Sequence, residues 1–129
     1  MVLIDRKKLL ICIASVVIFI FVVNSAAMKF YWYFSIWYFD MPMHFLGGFW
    51  VGLVCIYVFS LKEFNFNLIF KVFLCVFLVG FFWEIFEILV DKSITQNPFN
   101  SLDTISDMFF DLAGGGISII YFFKRIVYN

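Results

Sequence analysis

Four long apolar runs divide the chain, and shorter polar or aromatic segments separate them. The hydrocarbon core of a bilayer is about 30 Å thick, so a helix needs about 20 mostly apolar residues to cross it. The runs of this length are residues 9–28, 42–61, 68–90 and 104–123. They predict an all-α integral membrane protein, a four-helix bundle that forms a single transmembrane domain over residues 1–129.

An aromatic segment, residues 30–39, separates the first two spans and reads FYWYFSIWYF. It is too short to cross the membrane. Because Trp and Tyr concentrate at membrane–water interfaces, we expect this segment to lie in the headgroup region.

Composition supports the membrane interpretation. Of 129 residues, 65% are hydrophobic and 14% are charged, whereas a soluble domain has about 25% charged residues. The net charge is zero, so we predict no nucleic-acid partner. Three cysteines, Cys12, Cys55 and Cys75, lie inside apolar runs, and their odd number without CxxC spacing predicts buried thiols rather than disulfides or a zinc ribbon.

The basic residues predict the orientation of the spans. With the N-terminus inside, the cytoplasmic residues would be Arg6, Lys7, Lys8, Lys62, Lys71, Lys124 and Arg125, and only Lys29 and Lys92 would lie outside. Basic residues favour the cytoplasmic side of membrane proteins. Both termini are therefore predicted to be cytoplasmic.

The N-terminal pattern has a second interpretation. Basic residues, an apolar run over 9–23 and the small residues Ser25, Ala26 and Ala27 also fit a secretory signal peptide with a cleavage site. We expect the first span to be retained, because its apolar run is long for a signal peptide. Cleavage would leave three spans and the same acidic residues.

In this orientation, acidic residues and the single histidine gather in the outer half of the membrane. They recur at helical spacing, so each span would present them on one face. The candidate site residues are Asp40, His44, Glu84, Glu87, Asp103, Asp107 and Asp111. An aspartate at the centre of a spanning helix costs about 2.5–3.5 kcal/mol on insertion scales, so such residues indicate function. For Asp40 and Asp103, helix N-caps are an alternative role.

Small residues continue each acidic face toward the cytoplasm. Gly48 and Gly52 follow His44, and a run of three glycines at 114–116 follows Asp111. Because small residues let membrane helices approach closely, these faces are predicted to pack together. Phe110 and Phe122 are expected to face lipid.

Like charges this close cannot all remain ionised without a compensating cation. The carboxylates are therefore either partly protonated or bind a metal ion. Oxygen ligands suit Mg²⁺, Mn²⁺ or Ca²⁺, and the histidine also allows Zn²⁺. All seven candidates are predicted metal ligands, and His44, Glu84, Glu87 and Asp107 are the candidate catalytic residues.

Three short motifs resemble the VanZ-like superfamily of small bacterial membrane proteins, in particular its YjdF-like branch. They are D-x-P-x-H-F-x-G-G at 40–48, W-E-x-x-E at 83–87, and D-T-x-x-D at 103–107 with a G-G-G run at 114–116. The resemblance covers about residues 38–118. It implies site positions at Asp40, His44, Glu84, Glu87, Asp103 and Asp107, whereas Asp111 stands where an Asn is expected. It also implies a bacterial inner-membrane setting and a link to glycopeptide (teicoplanin) resistance.

Three functions follow as hypotheses. The first is a metal-dependent enzyme that acts on a lipid or a lipid-linked envelope precursor. The second is a non-catalytic envelope factor that binds a lipid, a glycopeptide antibiotic or a partner protein. The third is an ion- or proton-coupled carrier, which would require a homo-oligomer because four helices enclose little volume.

Overall fold

The structure is a computed structural model that describes residues 3–59 and 66–128. Its elements are β1 (Leu3–Ile4), α1 (Arg6–Lys29), α2 (Trp32–Ser35), α3 (Asp40–Phe59), α4 (Phe66–Val90), a π-helical turn (Asp91–Thr95), α5 (Ser101–Arg125) and β2 (Val127–Tyr128). Lys62 and the predicted end of the second span at Leu61 lie outside the described residues.

The four predicted spans correspond to α1, α3, α4 and α5, and each helix is long and apolar enough to cross a membrane. The four-helix membrane bundle is therefore confirmed. The helices begin two or three residues before the predicted spans. Capping explains the early starts of α1 and α5, because Asp5 accepts a hydrogen bond from the Lys8 backbone and Asn100 accepts two from the first turn of α5.

The first and last described residues lie at the same end of the bundle, as an even number of spans requires. Strand β1 pairs with β2 in antiparallel register, and the Lys8 ammonium donates a hydrogen bond to the Arg125 carbonyl at 2.7 Å. We call this the basic end. The opposite end, where α3 and α5 begin and α4 finishes, is called the acidic end. Which end faces the cytoplasm stays a prediction.

The apolar core occupies the half of the bundle nearer the basic end. It contains Leu9, Leu53, Ile56, Leu68, Val72, Val76, Ile119, Phe122 and Ile126. Phe122 is only 1% exposed, so the expectation that it faces lipid is wrong. An aromatic ring suits lipid and protein core equally well, and its position on α5 directs it inward. Cys55 also belongs to this core, and the three cysteines form no disulfide.

Glycines let α3 and α5 come into backbone contact. A side chain at Gly48 would collide with the Asp111 carbonyl, and one at Gly114 would collide with the backbone of Phe45. Further along, Gly52 lies against the Ser118 side chain. The predicted close packing of the glycine faces is confirmed. It places the first turns of α3 and α5 directly beside each other.

Part of the aromatic segment forms the short helix α2, which lies at the acidic end. Tyr31 precedes it in a left-handed conformation, with φ of 58°. The Tyr33 hydroxyl donates a hydrogen bond to Asn24 of α1 at 2.7 Å, and the rings of Tyr33 and Phe39 meet edge to face with centroids 5.0 Å apart. The segment is thus fixed to the bundle, and its interfacial location stays a prediction.

Candidate metal centre

Three helix ends supply the candidate site at the acidic end. The first two turns of α3 carry Asp40 and His44, the last turns of α4 carry Glu84 and Glu87, and the beginning of α5 carries the three aspartates. Because the glycines hold α3 against α5, side chains from both helices reach a common centre. The sequence predicted that the acidic faces of these helices meet, but not how their side chains divide around His44.

His44 lies at that centre and is 7% exposed. Its Nδ1 is 3.2 Å from Asp111 Oδ1, and its Nε2 is 3.6 Å from both Asp107 Oδ2 and Asp40 Oδ2. A carboxylate only accepts hydrogen bonds, so a neutral imidazole would donate from Nδ1 to Asp111. The lone pair of Nε2 then faces Asp40 and Asp107.

Within residues 3–59 and 66–128, two sets of side chains bring ligand atoms close enough to share an ion. One atom each of His44, Glu84, Glu87 and Asp107 lie within 4.8 Å of one another, and the same holds for Asp40, Asp103 and Asp107. Ligand atoms lie about 2.0–2.6 Å from Mg²⁺ or Ca²⁺, so opposite ligands are about 4–5 Å apart. Both sets fit this range. Asp111 belongs to neither set and contacts the other side of the imidazole.

Three buried carboxylate oxygens at the centre have no hydrogen-bond partner. They are Glu84 Oε1, Asp107 Oδ2 and Asp111 Oδ2. A buried polar atom without a partner costs about 1–3 kcal/mol, and more when it is charged. Among the described side chains, only the His44 imidazole lies within ion-pair distance of Asp107 and Asp111. A bound cation would satisfy the oxygens of Glu84 and Asp107.

The third of these oxygens lies close to the backbone of α4. Asp111 Oδ2 lies against Gly80 of α4, where an added Cβ would be 2.6 Å away. The Asp111 backbone lies against Gly48 on the other side. Two glycines therefore leave the space that Asp111 occupies beside His44.

A cavity of about 410 Å³ opens above the carboxylates, between the π-helical turn and the start of α5. Glu84, Glu87 and Asp103 line it. The segment that joins α4 to α5 contributes further polar side chains, which are Asp91, Lys92, Gln96, Asn97 and Asn100. Asp91 continues the helical spacing of Glu84 and Glu87, but the other four could not be predicted from the sequence, because a short polar connection between spans has no periodicity to interpret. From the sequence, Lys92 is expected only to be a basic residue on the outer side of the membrane.

Two neighbours complete the surroundings of the centre. Trp83 donates a hydrogen bond from Nε1 to Glu87 Oε1 at 2.8 Å. The pKa of Tyr33 in α2 is raised above its ordinary value, first by burial and then by the negative charges of Asp40 and Glu87. This position of Tyr33 could not be predicted, since Tyr33 is one ring among many in an aromatic segment.

The N-cap alternative for Asp103 is wrong. Asn100 caps α5, and Asp103 lies in the first helical turn, where its backbone N–H donates to the Asn100 side chain. Asp40 is the first residue of α3, and its carboxylate faces His44. Both aspartates thus remain available as ligands.

The fold and the centre together define a class, a four-helix membrane protein with a buried histidine–carboxylate cluster at one end. The chain belongs to the family described as predicted membrane protein DUF2238, whose sequence model matches residues 2–127. Comparison with curated proteins and with solved structures gives no match.

Proposed function

We propose that the protein is a divalent-metal-dependent enzyme of the bacterial inner membrane that acts on a lipid or a lipid-linked envelope precursor. One observation carries the proposal. The buried carboxylates of Glu84 and Asp107 each have an oxygen without a hydrogen-bond partner, and both residues belong to the set of close ligand atoms that includes His44.

The roles of the side chains follow from their contacts. His44, Glu84, Glu87 and Asp107 would hold the ion, which can polarise a phosphoryl or acyl oxygen or activate water. Asp111 would fix the imidazole through Nδ1, since a ligand histidine usually donates its other N–H to a carboxylate or carbonyl. If an ion takes other ligands, His44 Nε2 is free to act as the general base.

The cavity supports a substrate with a polar headgroup. Its volume of about 410 Å³ lies within the range of about 300–1,000 Å³ for small-molecule sites. Lys92 suits an anionic group, and Gln96, Asn97 and Asn100 offer hydrogen bonds. In the predicted orientation the cavity meets the outer leaflet, and the VanZ-like motifs support an envelope setting.

A non-catalytic envelope factor is the second candidate function. The amide and lysine side chains of the cavity favour it, because such groups recognise a lipid headgroup, a glycopeptide antibiotic or a partner without breaking bonds. The carrier hypothesis has less support. The described core of the basic half is apolar, which offers an ion no polar path through the bundle.

Thermal unfolding in detergent tests metal binding. An ion bound only by the folded state stabilises it by RT ln(1 + [L]/Kd), which is about 2.7 kcal/mol at 100 times Kd. We expect Mg²⁺, Mn²⁺, Ca²⁺ or Zn²⁺ to raise the Tm above its value in EDTA. Glu84→Gln and Asp107→Asn should lose most of this shift. Asp5→Asn is the matched control, because it removes a carboxylate at the basic end and keeps a capping side chain.

Turnover distinguishes the enzyme from the factor. Protein in vesicles of bacterial lipid extract, with and without the stabilising ion, is followed by mass spectrometry of the lipids. A metal-dependent lipid product that Glu87→Gln abolishes supports the enzyme. A metal-dependent Tm shift without any product in extracts that contain lipid-linked precursors assigns the site to the factor. The absence of both the shift and bound metal would refute the metal centre.

A further inference from the structure

We propose that the acidic end binds two divalent cations that share Asp107 as a bridging ligand. This inference rests on the proposed metal-dependent function and extends it from one ion to a pair. The first ion would bind His44, Glu84, Glu87 and Asp107. The second would bind Asp40, Asp103 and Asp107.

The geometry supplies two ligand sets with one common member. Each set brings its ligand atoms within 4.8 Å, and Asp107 is the residue present in both. Asp107 is 1% exposed, and its Oδ2 lacks a hydrogen-bond partner. Catalytic metal pairs lie about 3.5–4 Å apart, a separation that the two oxygens of one carboxylate can bridge.

His44 lies at the junction of the two sets. Its Nε2 is equally far, at 3.6 Å, from Asp107 and from Asp40, which belongs to the second set. The contact of Nδ1 with Asp111 holds the ring in that position. The two sets therefore meet around one imidazole and one carboxylate, as a compact pair of ions requires.

Charge favours two ions over one. The two sets together contain five carboxylates, from Asp40, Glu84, Glu87, Asp103 and Asp107. One divalent ion would neutralise only two of five negative charges, whereas two ions neutralise four. Since like charges held together in a low-dielectric site cannot all stay ionised, a second ion accounts for the aspartates that the first leaves unpaired.

Both ligand sets face the same cavity. Glu84 and Glu87 of the first set and Asp103 of the second line it. A single anionic group that enters the cavity would therefore meet both cations at once. Metal pairs act in this way on phosphoryl groups, because two ions can hold the attacking and the leaving oxygen.

Manganese is the probe for the test, because the number and the spacing of bound Mn²⁺ ions are both measurable. The full chain is purified in detergent, loaded with Mn²⁺ and freed of excess ion. Bound manganese per chain and the electron paramagnetic resonance spectrum are then recorded. We expect two ions per chain with the spectrum of an exchange-coupled pair. Asp103→Asn should leave one ion with the spectrum of isolated Mn²⁺, and Asp107→Asn should lose both.

Two further variants keep the test decisive. Asp40→Asn removes a ligand of the second set from a different helix, so it replaces Asp103→Asn if that variant does not fold. Asp91→Asn is the matched control, since Asp91 lines the same cavity but belongs to neither set, and it should keep the coupled pair. One ion per chain, unchanged by Asp103→Asn and Asp40→Asn, would overturn the pair and leave the proposed function standing. No bound manganese, zinc, magnesium or calcium would overturn both.

Discussion

The two ends of the bundle differ in where their charged side chains lie. At the basic end, charged groups lie outside the apolar core, and Arg6 and Lys8 have partners in the bundle. Arg6 lies over the Tyr57 ring at 4.4 Å and donates a hydrogen bond to the Tyr57 carbonyl, and Lys8 reaches the Arg125 carbonyl. At the acidic end, charged groups lie inside the bundle, where Glu84, Asp107 and Asp111 are buried and incompletely paired.

This difference supports the proposal that the basic end stabilises the fold and that the acidic end binds a ligand. Basic side chains near helix ends extend to the membrane surface at little cost. Buried carboxylates are costly and gain no stability from each other. Their presence at one end of an otherwise apolar bundle supports the proposal that they bind a ligand. Substitutions at the two ends should therefore have different signatures, in stability at one end and in the response to metal at the other.

The largest loss of stability is expected from Phe122→Ala. Phe122 is fully enclosed in the apolar core, and removal of a buried phenylalanine ring costs about 3–5 kcal/mol. Unfolding in detergent should show this loss, while the Tm shift caused by metal should remain. The matched control is Phe109→Ala on the same helix, because Phe109 is 65% exposed. Equal losses in the two variants would mean that α5 is not oriented as described.

Gly48→Ala should have the next largest effect and should couple the two ends. The new methyl group would collide with the Asp111 carbonyl, and overpacking of this kind costs about 1–3 kcal/mol. Because α5 must move away, the metal-dependent Tm shift should shrink as well. Gly47→Ala is the matched control one residue earlier, since nothing lies within 4 Å of a Cβ at that position. A tolerated Gly48→Ala would contradict the backbone contact between α3 and α5.

The spans and the helix faces could be predicted from the sequence, because the bilayer constrains them directly. A crossing helix needs about 20 apolar residues, and close helix contact needs small side chains. Gly48, Gly52 and Gly114 therefore predict the contact between α3 and α5 from the sequence alone. Burial of Phe122 could not be predicted, since hydrophobicity does not distinguish a lipid-facing ring from a core ring.

The candidate residues of the site were predicted, but their arrangement was not. Helical spacing assigns Asp103, Asp107 and Asp111 to one face of α5. It does not show that Asp107 belongs to both ligand sets while Asp111 contacts the far side of His44. That division depends on side-chain positions that a helical repeat does not encode. The cavity lies beside a connection of irregular structure, so its lining residues carried no pattern either.

Asp111→Asn tests whether Asp111 is itself a metal ligand or a residue that orients a ligand. If Asp111 acts through His44 Nδ1, the substitution should weaken metal affinity by about 10–100-fold, because the amide oxygen can still accept the hydrogen bond but carries no charge. Titration of Mn²⁺ should show weaker binding with the same number of ions per chain. A lower number of bound ions would mean that Asp111 is a direct ligand, as the sequence predicts.

The smallest effect on stability is expected from single cysteines that report which way the two ends face. Gln96 is exposed beside the cavity at the acidic end, and Tyr128 belongs to β2 at the basic end. The excess of basic residues at the basic end predicts that it faces the cytoplasm. A membrane-impermeant maleimide added to intact cells should therefore label Gln96→Cys and should label Tyr128→Cys only after the membrane is opened. The unsubstituted chain is the control for its native cysteines, Cys12, Cys55 and Cys75, which lie within helices. Labelling of Tyr128→Cys in intact cells would mean that the bundle has the opposite orientation in the membrane. The cavity would then face substrates of the cytoplasmic leaflet instead of the outer one.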